Sequence, residues 1–221
     1  MAARAVIVLA AGQGTRMRSS LPKVLHKVGA RAMIDWSLAL AQAFGADRRI
    51  VVVGPHAPQV RAHLEASANP PEIAVQDEPL GTGHAVLAAK EALAGFDGDV
   101  VVLYGDTPLI RPETLQEMAD LRAAKGGIVV LGFEADNPTG YGRLIQDEQG
   151  RIARIVEEKD ASEAEKAVRL CNSGVFLTDA KLLMQLLSMV GNDNAKKEYY
   201  LTDIVGLGRS AGFFTHQVAC P

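Results

Sequence analysis

Leu9-Ala10-Ala11-Gly12-Gln13-Gly14-Thr15-Arg16-Met17 follows without a break on the apolar run Arg4–Ala10 (RAVIVLA). A short run of Val, Ile, Leu and Ala without alternation suits a strand covered on both faces by helices. A secretory leader is the rival reading, but the run covers only Ala5–Ala11 and ends in glycines instead of a cleavage site. A glycine loop directly after the first strand of a parallel sheet lies at the carboxyl edge, where such folds bind ligands. There, glycines let backbone N–H groups approach phosphate oxygens closely. The dinucleotide fingerprint fails in detail, because its third glycine position is Met17 and the second strand ends at Gly54-Pro55-His56 without the acidic ribose ligand. No GK[ST] closes the loop, which excludes a Walker A motif.

Outward from this loop, strand and helix patterns alternate. Arg49–Gly54, Glu72–Gln76 and Asp99–Tyr104 read as further buried strands, and Met33–Phe44, Pro58–Ser67, Gly83–Leu93 and Pro112–Ala124 as helices. In the last of these, Leu115, Met118 and Leu121 share one stripe while Glu113, Gln116, Glu117 and Asp120 lie off it. Such alternation predicts a doubly wound, mostly parallel α/β sheet with right-handed crossovers. After about Gly127 the pattern changes to a strand at Ile128–Glu134, a turn at Asn137–Gly140 and a hairpin of Gly142–Asp147 with Arg151–Glu157. A strand at Asn172–Thr178, a helix at Ala180–Met189, a polar loop at Gly191–Lys197, a helix at Tyr200–Arg209 and a final strand at Gly212–Ala219 complete the reading. The expectation is one domain over 1–221, with halves at about 1–127 and 128–221, the second being a sheet-covering lobe. Trp36 reads as core packing and Cys171 as a small core residue.

Composition bounds the function. The 221 residues are 48% hydrophobic and 22% charged, which is globular usage. Twenty-three Lys and Arg against 26 Asp and Glu leave a net charge of −3, against the basic surface that nucleic acid requires. No run approaches the 18 apolar residues of a membrane span, so the expected setting is soluble and cytoplasmic. Two cysteines, Cys171 and Cys220, exclude a disulfide scaffold and a CxxC site. His26, His56, His63, His84 and His216 lack any HExxH or HxxxH spacing, which argues against zinc.

Two further features carry chemistry. Residues 18–31 hold Pro22, two serines and Gly29, so a long loop with Arg16, Arg18 and Lys23 is poised to close over a triphosphate. Asp106, in Tyr104-Gly105-Asp106, ends a strand at the same edge, where one carboxylate can hold Mg²⁺ while phosphate oxygens and water fill the remaining positions. A strand-terminating Asx turn before Pro108 is the competing use.

LAAGQGTRM with LPKVL (21–25) resembles the signature of the sugar-phosphate nucleotidyltransferases. Gln76 with LGTGHA (80–85), YGDTPLI (104–110), NPTGYGR (137–143), IVEEKDA (155–161), CNSG (171–174) and EYYLTD (198–203) narrow the resemblance to the N-terminal uridylyltransferase half of the bifunctional bacterial GlmU family. It runs from Ala5 to about Ala219. It implies a Rossmann-like, doubly wound, mixed but mostly parallel sheet with a small sugar-binding β lobe. The activity implied is transfer of UMP from UTP to N-acetyl-α-D-glucosamine 1-phosphate with Mg²⁺. A UTP- or UDP-sugar-binding protein without turnover, and an enzyme for another sugar 1-phosphate, are the alternatives.

By the same resemblance Arg16, Lys23 and Asp106 are catalytic and Asp106 is the metal ligand, with a second ligand, an asparagine, beyond residue 221. Leu9, Ala10, Ala11, Gly12, Gly14, Tyr104 and Gly105 are substrate-binding positions. Gln76, whose amide carries both a donor and an acceptor, selects uridine together with Gly81 and Thr82; Thr82 is also a candidate N-cap. Gly142, Glu157, Asn172, Tyr200 and Thr202 line the sugar pocket, and Thr202 could equally cap a helix. Without the resemblance Glu157-Glu158-Lys159-Asp160 is an exposed charged turn, and Glu158 and Asp160 keep that reading. The family's trimer-forming β-helix acetyltransferase half is not encoded in these 221 residues, so a monomer or weak dimer is expected.

Overall fold

Strand β1 (Ala3–Ala10) is buried from Ala5 onward, and its side chains alternate between two separate cores. Ala5, Ile7 and Leu9 enter one, Val6, Val8 and Ala10 the other. That is the physical reason for its unbroken apolar sequence: helices cover both faces of the sheet. Truncating the fully buried Ile7 to Ala would cost about 2–5 kcal/mol. The computed structural model describes residues 2–12, 14 and 17–220.

The remaining strands are β2 (Lys27–Val28), β3 (Arg31–Ala32), β4 (Arg48–Val53), β5 (Glu72–Val75), β6 (Gly98–Tyr104), β7 (Ile128–Glu134), β8 (Arg143–Gln146), β9 (Ile152–Val156), β10 (Leu170–Asp179) and β11 (Thr215–Ala219). Nine of them form one mixed sheet in the order β5-β4-β1-β6-β10-β7-β11-β9-β8. β5, β4, β1 and β6 are mutually parallel, and β11 is parallel to β7. β10 runs antiparallel between β6 and β7. β8 and β9 make the expected hairpin, and β8 pairs back onto β10 through Arg143 and Cys171. The far end of the sheet thus curls into a ring of five strands, β10-β7-β11-β9-β8.

Helices α1 (Met33–Ala43), α2 (Pro58–Glu65) and α4 (Pro112–Lys125) pack Ile34, Val60, Leu64, Leu115 and Met118 on one face. Helices α3 (Thr82–Leu87), α6 (Ala180–Leu187) and α7 (Asp203–Ser210) pack Val86, Leu183, Leu186, Ile204 and Val205 on the other. A one-turn helix, α5 (Glu163–Lys166), is closed by a capping box between Ser162 and Glu165.

Several expectations need correction. The helix expected over Gly83–Leu93 stops at Leu87, where tighter bonds such as Lys90 N–H to Leu87 O take over before a 3₁₀ turn at Glu91–Leu93. The helix expected from Tyr200 begins at Asp203, because the turn before it closes by tighter bonds, Asp203 N–H to Tyr200 O and Ile204 N–H to Leu201 O, each at 3.2 Å. Segment 18–31 is less irregular than its Pro and Gly suggest, holding a 3₁₀ turn at Lys23–Leu25 and the β2–β3 ribbon. Trp36 is not core; it is 37% exposed, donates its indole N–H to Val28 O at 3.1 Å and carries the Arg31 guanidinium over its ring. Cys171 is buried as expected. Among the described residues no helix is long and apolar enough to cross a membrane.

Candidate active site

The carboxyl ends of β1, β5 and β6 open onto a cavity of about 440 Å³. Leu9, Ala10, Ala11, Gly12 and Gly14 form one wall, Gln76, Gly81 and Thr82 a second, and Tyr104, Asp106 and Lys23 a third. Sequence motifs point to all of these, and the structure brings them to one place. Met17, Val24, Pro79, Ala85 and Glu198, to which no role is assigned from the sequence, also line the cavity; all but Pro79 stand inside the quoted motifs, and of the five only Glu198 carries charge. Arg16 lies outside the described residues.

The first wall depends on glycine. Gly14 has φ +58°, and a Cβ there would stand 2.7 Å from Lys23 Cβ, so the absent side chain lets the Lys23 backbone close in. The Lys23 ammonium pairs with the Asp106 carboxylate. Gly105 does not line the cavity; its N–H donates to Leu9 O at 2.9 Å, extending the β1–β6 ladder, and it leaves room for Val24.

Gln76 stands just past β5, tied by its N–H to Val53 O at 2.9 Å, and is 5% exposed. Its amide nitrogen lies 3.0 Å from Gly81 O and 3.2 Å from His84 Nδ1. The donor expected to meet a base is therefore already committed, and only the amide oxygen remains available. Gly81 has φ +110°, and a Cβ there would meet Tyr199 O at 2.6 Å. Thr82 is not an N-cap: it is the first residue of α3, and its hydroxyl binds Leu201 instead. Burial, then the negative charges of Glu157 and Asp106, push the Tyr104 phenol well above its ordinary value and keep it protonated.

A second cavity of about 300 Å³ holds Glu157, Tyr200 and Thr202, together with Asp160, Asn194 and Asp203. Burial raises the Glu157 carboxyl above its usual range, opposed by the Lys196 charge and by the Thr202 hydroxyl, which donates to Oε1 at 3.3 Å. Thr202 occupies the cap position of α7 without capping it. The Tyr200 hydroxyl is buried with no partner among the described residues, and burial pushes its pKa up to about 12. Gly142 backs this site, since a Cβ there would stand 3.4 Å from Glu157 Oε1. Asn172 lines neither cavity: its N–H donates to Gly142 O at 2.8 Å and its side-chain oxygen accepts from Gly174 N–H at 3.0 Å. Gly142 and Asn172, expected to line the sugar pocket, stand beside it as supporting positions instead.

Glu158 and Asp160, expected in a solvated turn, both have structural partners. Asp160 accepts the Ala195 N–H at 2.9 Å. Glu158 pairs at 2.6 Å with Arg143, whose side chain is 1% exposed and also donates to Tyr141 O and Lys166 O. Charge pattern alone does not identify this partner, because it lies on the adjacent hairpin strand.

Asp106 offers one hard carboxylate oxygen beside the space where phosphates would lie. Among the described residues no group of three His, Cys, Asp or Glu side chains could hold a metal by itself. This donor set fits an ion such as Mg²⁺, which is bound through one or two carboxylates plus substrate phosphates.

Residues 6–170 match the MobA-like NTP transferase domain. Over 207 residues the chain is 56% identical to the bifunctional protein GlmU of Maricaulis maris, covering 94% of this chain and 45% of that protein. Over 218 residues it is 51% identical to GlmU of Caulobacter vibrioides, covering 99% and 47%. The chain therefore spans about half the length of the curated relatives it matches. The structure of a UDP-glucose pyrophosphorylase complexed with UDP-glucose superposes with a TM-score of 0.78 at 19% identity, over 98% of this chain and 90% of that one, which shows a shared fold. The match runs from the buried first strand through the glycine loop, Gln76 and Asp106 to the hairpin, and on that evidence the chain belongs to the family of MobA-like NTP transferase domains.

Proposed function

We propose that this domain transfers UMP from UTP to N-acetyl-α-D-glucosamine 1-phosphate, releasing pyrophosphate and UDP-N-acetylglucosamine. The observation that carries the proposal is the Lys23–Asp106 pair set between the glycine loop and the Gln76 wall of one cavity. Identity of 51–56% to GlmU proteins supports the choice of substrates. Gln76 and Gly81 would face the base, the backbone around Gly12 and Gly14 the phosphates, and Glu157, Tyr200 and Thr202 the sugar.

The sugar phosphate is already ionised, so no general base is required. One of its oxygens attacks the α-phosphorus in line, the bond from that phosphorus to the bridging oxygen breaks, and pyrophosphate leaves with the electron pair. Lys23 would neutralise charge on the phosphates, a role that the sequence assigns to Arg16 as well. Asp106 would hold Mg²⁺, which when bound supplies positive charge to the reacting phosphate oxygens. The Glu157 carboxyl and the buried Tyr200 hydroxyl suit sugar hydroxyls, orienting the nucleophile without taking part in bond making. The same reading puts the protein in the cytoplasm, with a nucleotide half at about 1–127 and a sugar half at about 128–221.

Pyrophosphate release should be measured with UTP, Mg²⁺ and either N-acetylglucosamine 1-phosphate or glucose 1-phosphate. Release that needs the metal and favours the acetamido sugar supports the proposal. Preference for glucose 1-phosphate would move the assignment to another sugar, and UTP binding without release would reduce it to a binding domain.

A further inference from the structure

We infer that His84 is a positioning residue for base selection: it orients the Gln76 amide so that the first cavity accepts uracil and rejects cytosine. The inference rests on the uridine-binding reading above. The amide nitrogen of Gln76 faces two groups, Gly81 O at 3.0 Å and His84 Nδ1 at 3.2 Å. A backbone carbonyl can only accept, so the atom opposite it is the NH₂ group, and one of its hydrogens goes to Gly81. The other points to His84, whose Nδ1 must then offer a lone pair, which sets the neutral ring with its proton on Nε2. Turning the amide over would set its oxygen against both the Gly81 oxygen and that lone pair.

Both donor hydrogens of Gln76 are thereby used inside the protein. The amide oxygen has no protein partner among the described residues and belongs to a side chain that lines the cavity. A fixed lone acceptor reads one feature of a pyrimidine edge. The N3–H of uracil donates to it, whereas N3 of cytosine presents a lone pair and leaves two acceptors opposed. Buried polar groups left unpaired are the basis on which sites reject near-isosteres. His84 is half-buried, with its ring centroid 6.4 Å from that of Tyr199, so a flat apolar ring can replace it without leaving a void.

The test compares UTP and CTP as substrates, and the two nucleotides by titration calorimetry so that the reading survives loss of turnover. The variants are His84→Phe, which keeps the ring and loses the acceptor, His84→Asn, which returns an acceptor oxygen near the Nδ1 position, and Gln76→Leu. His84→Phe should raise KM for UTP about tenfold with kcat within about twofold, and lower the UTP-over-CTP preference about tenfold, the signature of lost binding common to ground and transition states. His84→Asn should recover most of the preference, and Gln76→Leu should abolish it. An unchanged preference in His84→Phe, with loss in Gln76→Leu, overturns the role of His84 and leaves the base site standing. Retained preference in Gln76→Leu overturns the base site and the inference together. If His84→Phe does not fold, His84→Ala read by calorimetry against His84→Asn decides the same question.

Discussion

The Lys23 ammonium rests on the Asp106 carboxylate at the mouth of the larger cavity, with side chains 41% and 24% exposed. An ion pair this open to water is screened and adds under about 1 kcal/mol to stability. Its position matters for charge on phosphates. Lys23→Ala and Asp106→Ala should each lower kcat by about 10²–10⁴, in line with losing one charge-stabilising group, while thermal melts stay close to the parent. Normal turnover in either variant would remove that residue from the mechanism.

Gly81→Ala should damage fold and site together. The residue needs φ +110°, and an added Cβ would lie 2.6 Å from Tyr199 O and 2.8 Å from Tyr199 N, both backbone atoms that are tied to Gly83 and Leu80. A loss of about 2–3 kcal/mol in urea unfolding is expected from strain of this kind. Nucleotide affinity should fall with it. A stable variant with unchanged KM for UTP would show that this loop can shift freely.

Tyr200→Phe separates folding from recognition. The buried hydroxyl has no partner among the described residues, so removing it should leave stability unchanged or slightly higher. If that hydroxyl donates to the sugar phosphate substrate, its loss should raise KM for that substrate about tenfold, the equivalent of roughly 1.4 kcal/mol, and leave KM for UTP unaltered. Equal KM values for parent and variant would take Tyr200 out of the sugar site.

Acid stability should report the Arg143–Glu158 pair. The hydrogen bond from Arg143 holds the Glu158 carboxyl below its ordinary value of 4.5. A depressed acidic group contributes stability that is full above the unfolded value and is lost as pH falls through the folded one. Glu158→Gln should therefore be less stable than the parent at pH 7, with the gap closing toward pH 3, as followed by urea unfolding at both values. A gap independent of pH would mean that the charge of Glu158 contributes nothing.

Elements whose signals are local are legible in the amino-acid sequence. β1, β4 and β6 announce themselves by unbroken Val and Ile, and the glycine loop by its place after the first of them. Leu9, Ala10, Gln76, Tyr104 and Asp106 lie at or just past strand ends, and a strand end in such a sheet has only one edge to open onto; Lys23, Gly81 and Thr82 reach the cavity from a 3₁₀ turn and the start of α3. What the sequence hides depends on partners distant along the chain. Arg143 and Glu158 look like surface charges until β8 and β9 pair, bury Arg143 and bring the half-buried Glu158 onto it. Asn172 carries the right chemistry for a sugar, yet its oxygen is taken by Gly174 two residues on. His84 stands inside LGTGHA, yet nothing in its own neighbourhood reveals that its ring meets the Gln76 amide.

Strand β10 has a consequence of its own. Near one end Asn172 holds Gly142 behind the smaller cavity, two residues on Gly174 lies under the Tyr104 ring at the larger one, and by Phe176 the strand is paired with both β6 and β7. On the proposed reading it works as a spacer gauge, fixing how far apart the two reactants sit. Adding or deleting one residue between Asn172 and Phe176 would leave each pocket able to hold its own ligand but miss the alignment between them, so that both substrates bind and no bond is exchanged.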